Sequence, residues 1–489
     1  MIRALVSIRL GAAALGPSGA PARAMYHSLP LLVIAALLTG GGNMALLGAV
    51  APGDNWPQWR GPLANGTSPS ATPPVHWSET ENVKWKVKLP GRGTATPIVW
   101  GDQIFIQAAI ATGKKAAAIE PRIPPGVLAG QAAPERRRER PPGASGGGGG
   151  MNSEKPTEAY QFVLISLDRQ TGKVRWQKVA REEVPHEGHH RDHGFSSQSP
   201  ITDGDLVISY FGSHGLYGYD LNGNLKWQKD LGRQQTKNSF GEGSSPALSG
   251  DTVIVNWDHE GEDFIAAFDK HTGRELWRTP REETTGWSTP LVVEHGGKRQ
   301  VVVNATRKVR SYDLATGKLL WECGGQTDNA IPSPVAGDDL VYVTSGFRGS
   351  ALYAIKLGRT GDLTGGDAVA WSKNKGTPYV PSPLLDSGKL YLFAGNNAIL
   401  SCFEAKSGQV LIDAERIDAL QGVYASPVGA AGRVYLVGRN GATVVLKGSD
   451  KLEVIATNRL DEKIDASPAL VGKEIFLRGH EYLYCLAEK

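Results

Sequence analysis

The chain alternates apolar with polar or small residues in short runs, of which Asp339 to Gly346 (DLVYVTSG) and Gly432 to Arg439 (GRVYLVGR) are clear cases. A period of two, broken every few residues by glycine, predicts β-strands rather than helices. Each run belongs to a longer unit. The unit opens on a Ser-Pro or Thr-Pro pair and passes an apolar alternation and a glycine turn. It then enters a β-rich run and closes with a third strand ending in Asp, a turn and a tryptophan.

The opening pair recurs at Thr96-Pro97, Ser199-Pro200, Ser245-Pro246, Thr289-Pro290, Ser333-Pro334, Ser382-Pro383, Ser426-Pro427 and Ser467-Pro468. After the first interval the spacings are 46, 44, 44, 49, 44 and 41 residues. The ending is as regular: Asp168 to Trp176 (DRQTGKVRW) returns as Asp269 to Trp277 and Asp313 to Trp321, one residue shorter as Asp220 to Trp227, and more loosely at Trp371. Thr-Gly supplies a hairpin turn with positive φ. The tryptophan beyond it offers a flat apolar surface suited to the gap between neighbouring sheets. In repeats six and seven Ile412 and Val454 stand at this place, which predicts weaker docking there.

Four strands per repeat, here named A to D, at a period near forty-four specify a propeller blade. Eight anchors therefore predict an all-β fold over residues 83–489: an eight-bladed β-propeller of four-stranded antiparallel blades. The last repeat, Ser467 to Lys489, stops after its third strand, and Asn82 to Leu89 has the character of the missing fourth. The N-terminal strand is thus expected to complete the last blade and close the ring, which removes open sheet edges.

Three segments lie outside the repeat. Residues 52–82 carry Trp56-Pro57-Gln58-Trp59-Arg60-Gly61-Pro62 and read as a strap packed across the propeller wall. Residues 108–157 interrupt blade one between its second and third strands, and the Arg-rich stretch 134–142 with Gly146 to Gly150 predicts a disordered loop. Residues 1–51 hold the apolar run Leu29 to Leu38 behind Arg23, with small residues ending at Ala51. That pattern reads as an export signal, or otherwise as an uncleaved N-terminal anchor. Export implies a place outside the cytoplasm. Membrane contact is expected through this segment alone, and the closed ring is expected to be a monomer.

Composition narrows the function. Glycine, 61 of 489 residues, exceeds the usual share of about 7%, as a turn-rich chain requires. The net charge of +4 divides into +3 within residues 1–51, +3 within 111–158 and −2 elsewhere. The propeller has no basic excess, so nucleic-acid binding is excluded. Cys323, Cys402 and Cys485 are far apart and form no Cys-x-x-Cys. Thiolate zinc ribbons, c-type haem attachment and dithiol chemistry are therefore excluded, and buried free thiols are expected.

Strand parity puts the D–A and B–C loops on one face and the hairpins on the other. Seven of the eleven histidines fall in the first set: His186, His189, His190, His193, His214, His259 and His480. Loops on a rigid scaffold carry function, so this loop face is the expected binding surface. His186, His214, Asp258, Glu260, Arg307, Phe347, Arg348, Asn396, Arg439, Arg478 and His480 are its candidate partner-binding residues. His186-Glu187-Gly188-His189-His190 matches a zinc-protease pattern, but that chemistry needs a helix to bring both histidines to one face, and Pro185 and Gly188 place this stretch in a loop. A different divalent-metal site from His189, His190, His193, Asp192 and His259 is chemically suitable for zinc, copper, iron or manganese. The competing reading is a polar channel of histidines bonded to one another, water and backbone.

With the Asp-x-x-Thr-Gly-x-x-x-Trp ending, the eight repeats and the circular closure, the chain resembles the PQQ-binding-like β-propeller repeat proteins, and its strap resembles that of an exported bacterial subgroup, which implies the periplasm or cell envelope of a bacterium. The resemblance implies either a quinoprotein dehydrogenase or a non-catalytic propeller such as the assembly lipoprotein BamB. The dehydrogenases use adjacent cysteines, calcium and an Asp base; this chain has no adjacent cysteines and no haem site, which points away from an enzyme and from PQQ as cofactor. The expectation is a non-catalytic scaffold binding a protein or carbohydrate partner through the loop face. The alternative is a metal- or quinone-dependent oxidoreductase using the histidine-rich loop.

Overall fold

The computed structural model describes residues 54–115 and 153–488. The export-signal reading of residues 1–51 and most of the insertion lie outside the described residues.

Each Ser/Thr-Pro pair starts a blade. Proline holds the residue before it extended and cannot donate to a ladder, so the pair leads directly into a short strand A, from Ile98–Trp100 in blade one to Ala469–Val471 in blade eight. The chain then returns through strands B, C and D, giving eight sheets built on four antiparallel strands each. Strand B is buried on both faces, as in Leu340–Ser345, whereas strand D alternates, as in Glu275–Arg281. The A strands of neighbouring blades touch at seven of the eight junctions, including that of blade eight against blade one. They therefore surround the centre, with the D strands outermost. The expected closing strand is Val83–Lys88, which pairs antiparallel with Tyr482–Ala487 and sets Trp85 opposite Cys485. All three cysteines are buried and free.

The repeat's ending docks one blade on the next. Trp176, Trp227 and Trp277 each donate an indole N–H to the carbonyl that follows the next blade's third strand, at Leu221, Lys270 and Leu314. Their rings lie on the next blade's turn glycine; a Cβ on Gly273 would come within 2.5 Å of Trp227. Trp371 docks in the same way on Ala405 despite its looser motif. Ile412 is buried in that role, but Val454 is 53% exposed. The Asp of the motif caps its turn: Asp269 Oδ1 accepts from Thr272 N and Oγ1.

The anchors bind one another. The N–H of seven of the eight anchors donates to the hydroxyl of the next blade's anchor, from Thr96 to Ser199, Ser199 to Ser245, and onward to Ser426 and Ser467, at 2.8–3.1 Å, and the belt is open between Ser467 and Thr96. A hydroxyl is needed at the six anchors from Ser199 to Ser426 because each both donates from its backbone and accepts at its side chain.

Two expectations need correction. Strand B of blade one continues to Lys115, and Ala108 to Ala111 pair with Val163 to Tyr160. Alanines hid the strand because its bulk comes from the partner. Only the second half of the strap follows the wall, where Val75 O and Trp77 N bond Asn458 in the outermost strand of blade seven and Glu79 accepts from Asp461 N; the first half does not. Trp56 pairs with Val99 of blade one and Pro57 O accepts from Thr202 of blade two. Only a few residues on, Arg60 donates to Pro383 and Pro427, ahead of blades six and seven. The segment thus crosses the centre of the ring, then runs parallel to strand A of blade seven at Thr67–Ser68.

Candidate functional site

All eight D–A loops converge on one cavity of about 240 Å³ at the centre of the loop face. The repeat dictates its lining. The residue two positions before each anchor reaches the cavity: Thr94, Ser197, Gly243 and Trp287 on one side, Ile331, Val380, Tyr424 and Asp465 on the other. Trp59 of the strap also lines it, which makes the cavity a cup whose channel the strap crosses. Phe240, Trp59, Tyr379 and Tyr424 are half-buried, so part of each ring faces the space.

A charged network spans one side of the cup. Arg439 donates through Nη2 to Asp192 Oδ1 at 2.8 Å and through Nε to Asp465 Oδ1 at 2.6 Å. Its guanidinium lies 3.9 Å over the Tyr424 ring. Tyr424 Oη reaches Asp192 at 3.4 Å, Lys463 Nζ lies 3.5 Å from the same carboxylate, and His480 bonds Asp465 at 2.9 Å. The Arg439 bond holds Asp192 down at about 2. Burial alone would push Asp465 up, but His480 and Arg439 outweigh it and hold it low. Both carboxylates are ionised and matched by cations.

The histidines do not converge. His189 Nδ1 bonds the His190 carbonyl, His190 accepts from Asp192 N, and His193 bonds the Gly194 carbonyl. Burial, with His189 close by, pushes His193 down to about 4, so it is neutral. His259 is buried elsewhere, between Gln235 N and Glu262 O. Among the described residues no three His, Cys, Asp or Glu side chains are arranged to hold a metal ion, and Asp192, the carboxylate of the expected set, is already committed to Arg439. These residues do not fit a metal.

Four expected surface residues are inside the protein. Asp258 forms a fully buried ion pair with Arg281, with bonds of 2.6 and 2.9 Å, and so fixes a loop rather than offering one. Arg478 is 1% exposed and donates to the carbonyls of Ala95 and Gln107; with no acid partner, burial lowers it to about 10. His214 is buried, stacked on Phe162 and bonded to Glu183 at 2.6 Å, and His259 is the fourth. Loop position predicted exposure for these residues, but long polar side chains fold back to satisfy loop backbone. Glu260 accepts from Thr285, and Asn396 Oδ1 accepts from Val380 N, tying neighbouring loops. Arg307 and Arg348 are exposed, and Phe347 stacks on Tyr379 at 5.0 Å.

Beside the cup is a second cavity of about 20 Å³, lined by His186, Glu187, Gln198, His214 and Glu242. That is room for one water molecule. Burial pushes Glu242 up to about 7, against the bonds from Ser213.

These features define an eight-bladed β-propeller with a ligand-sized cup at its loop face. Residues 156–262 and 260–489 match the family model described as outer membrane protein assembly factor BamB, and the chain belongs to this family of PQQ-like propeller repeats. No curated protein matches it. Among solved structures it is similar to the quinohemoprotein alcohol dehydrogenase from Comamonas testosteroni, with TM-score 0.57 and 11% identity over 90% of this chain and 81% of that chain. A europium-containing methanol dehydrogenase aligns with TM-score 0.57 and 10% identity over 90% and 98%. BamB from Moraxella catarrhalis aligns over 68% of this chain and 81% of its own, at 14% identity and TM-score 0.35. At such identities the likeness shows the fold.

The cup does not fit the quinone of such dehydrogenases. Its volume is below the roughly 300 Å³ at which pockets for drug-sized ligands begin. An anionic tricycle would also meet Asp192 and Asp465, with Arg439 already bound to both. None of the cysteines lines it.

Among the described residues no helix is long and apolar enough to cross a membrane.

Proposed function

We propose that the protein is an exported, non-catalytic binding propeller that uses its D–A and B–C loop face to hold a protein or carbohydrate partner in the bacterial cell envelope. The observation that carries this reading is the cup, where loops and strap bring half-buried aromatic rings to one space while the carboxylates of Asp192 and Asp465 are tied to Arg439. General acid–base catalysis works best with a group near the working pH and within reach of substrate. In the cup Asp192 is held near 2 and His193 near 4. Membership of a family described by an assembly factor supports a scaffold role. Export and the membrane contact rest on Leu29 to Leu38, and the monomer on the closed ring. The oxidoreductase alternative gains nothing from the cup's chemistry.

The test is retention of partners from a crosslinked envelope extract by the wild type and by an Arg307→Glu/Arg348→Glu variant. A specific partner retained by the wild type and lost in the variant is expected. Empty eluates from both would contradict the proposal.

A further inference from the structure

We infer that the cup binds the terminal residue of a neutral glycan, an inference that rests on the binding reading above. Three observations converge. First, the rings of Trp59, Trp287, Tyr379 and Tyr424 face one space from different loops. A pyranose has apolar C–H faces and a polar rim, so it covers an aromatic ring without desolvating its hydroxyls. An all-apolar guest would leave the polar side of the cup uncompensated.

Second, the polar side is built for vicinal hydroxyls. Asp192 and Asp465 line the cup and are fixed from outside its lining by Arg439 through bonds of 2.8 and 2.6 Å. A carboxylate has more lone pairs than those bonds use, so both remain acceptors for hydroxyl protons. The anchor hydroxyls of Ser199, Ser245 and Ser467 also line the cup. The belt uses each as an acceptor, which leaves its proton uncommitted by the belt.

Third, charge and volume choose the class. Asp192 and Asp465 are balanced by Arg439 and Lys463. A cation or an anion would meet a like charge, whereas a neutral polyhydroxyl ring would not. A cavity of about 240 Å³ accommodates one such ring, with the rest of the chain leaving through the loop face.

The test uses the full-length protein on an array of neutral hexose- and N-acetylhexosamine-terminated oligosaccharides, with uronate-terminated and sulfated oligosaccharides as the acidic arm. Calorimetry and tryptophan fluorescence then follow the strongest neutral binder. The expected result is a Kd of about 1 mM or tighter, with a shifted tryptophan emission and a loss of about 10-fold or more in Trp287→Ala. Tyr379→Ala, at a half-exposed ring, gives the same readout if Trp287→Ala fails to fold. Binding restricted to acidic glycans, or neutral binding untouched by both variants, overturns the inference. If no glycan binds while the envelope extract still yields a loop-face partner, this inference fails and the binding reading stands. If both are empty, both fail.

Discussion

Asp192, in the loop between blades one and two, accepts a 2.8 Å hydrogen bond from Arg439 of blade seven, so a pair 247 residues apart in sequence fastens one rim of the cup. Arg439→Ala leaves Asp192 and the buried Asp465 without their shared donor, and should cost about 1–3 kcal/mol in chemical denaturation. Asp192 is held at about 2, below the unfolded value near 4. A depressed carboxylate contributes stability that is present above its unfolded pKa and lost as pH falls through the folded one. The wild type should therefore lose this share between about pH 4 and 2, and Asp192→Asn should lack that limb of the stability–pH curve.

The docking tryptophans predict unequal consequences for equivalent repeat positions. Trp227→Ala should cost about 3–5 kcal/mol, because a buried ring and its bond to Lys270 O are both lost. Val454→Ala, at the matching but exposed place, should stay within about 0.5 kcal/mol. Urea midpoints of the two variants check this; similar losses would contradict the docking role.

The anchor belt predicts that the hydroxyl, not the size, of its residues matters. Ser333→Ala leaves the Thr289 N–H without its 2.8 Å acceptor and should cost about 1–3 kcal/mol. Ser333→Thr, which keeps the hydroxyl, should recover most of it. Melting temperatures of the pair are the readout.

Asp258 and Arg281 are fully buried partners. Asp258→Ala strands the guanidinium and should cost about 3–5 kcal/mol. A surface ligand at Asp258 would instead leave stability unchanged, so one denaturation curve separates the roles.

The blades were legible in the sequence because Ser/Thr-Pro and Asp-x-x-Thr-Gly-x-x-x-Trp each perform a local task that a single motif can encode. The cup was less legible. Attention to histidines found His190 and His193, yet Trp287, Tyr424 and Asp465 share one signal: each lies two residues before an anchor. That register was available once the anchors were aligned, but its residue types vary from Gly243 to Trp287, so it shows no motif. The burial of Asp258, Arg478, His214 and His259 was not legible at all, since loop position alone does not say which way a side chain folds. The strap sequence predicts wall packing for Trp59 because nothing local in it signals that it crosses the ring, where Arg60 meets the carbonyls of Pro383 and Pro427.

The most direct measurement places a diazirine side chain, which inserts into sugars as well as peptides, at Phe347 or Arg348 on the loop face and at Thr316 or Lys318 on the opposite hairpin face. Irradiated in the intact envelope, the first pair should give discrete adducts and the second none. Adducts confined to the hairpin face, or absent from both, would contradict binding through the loop face.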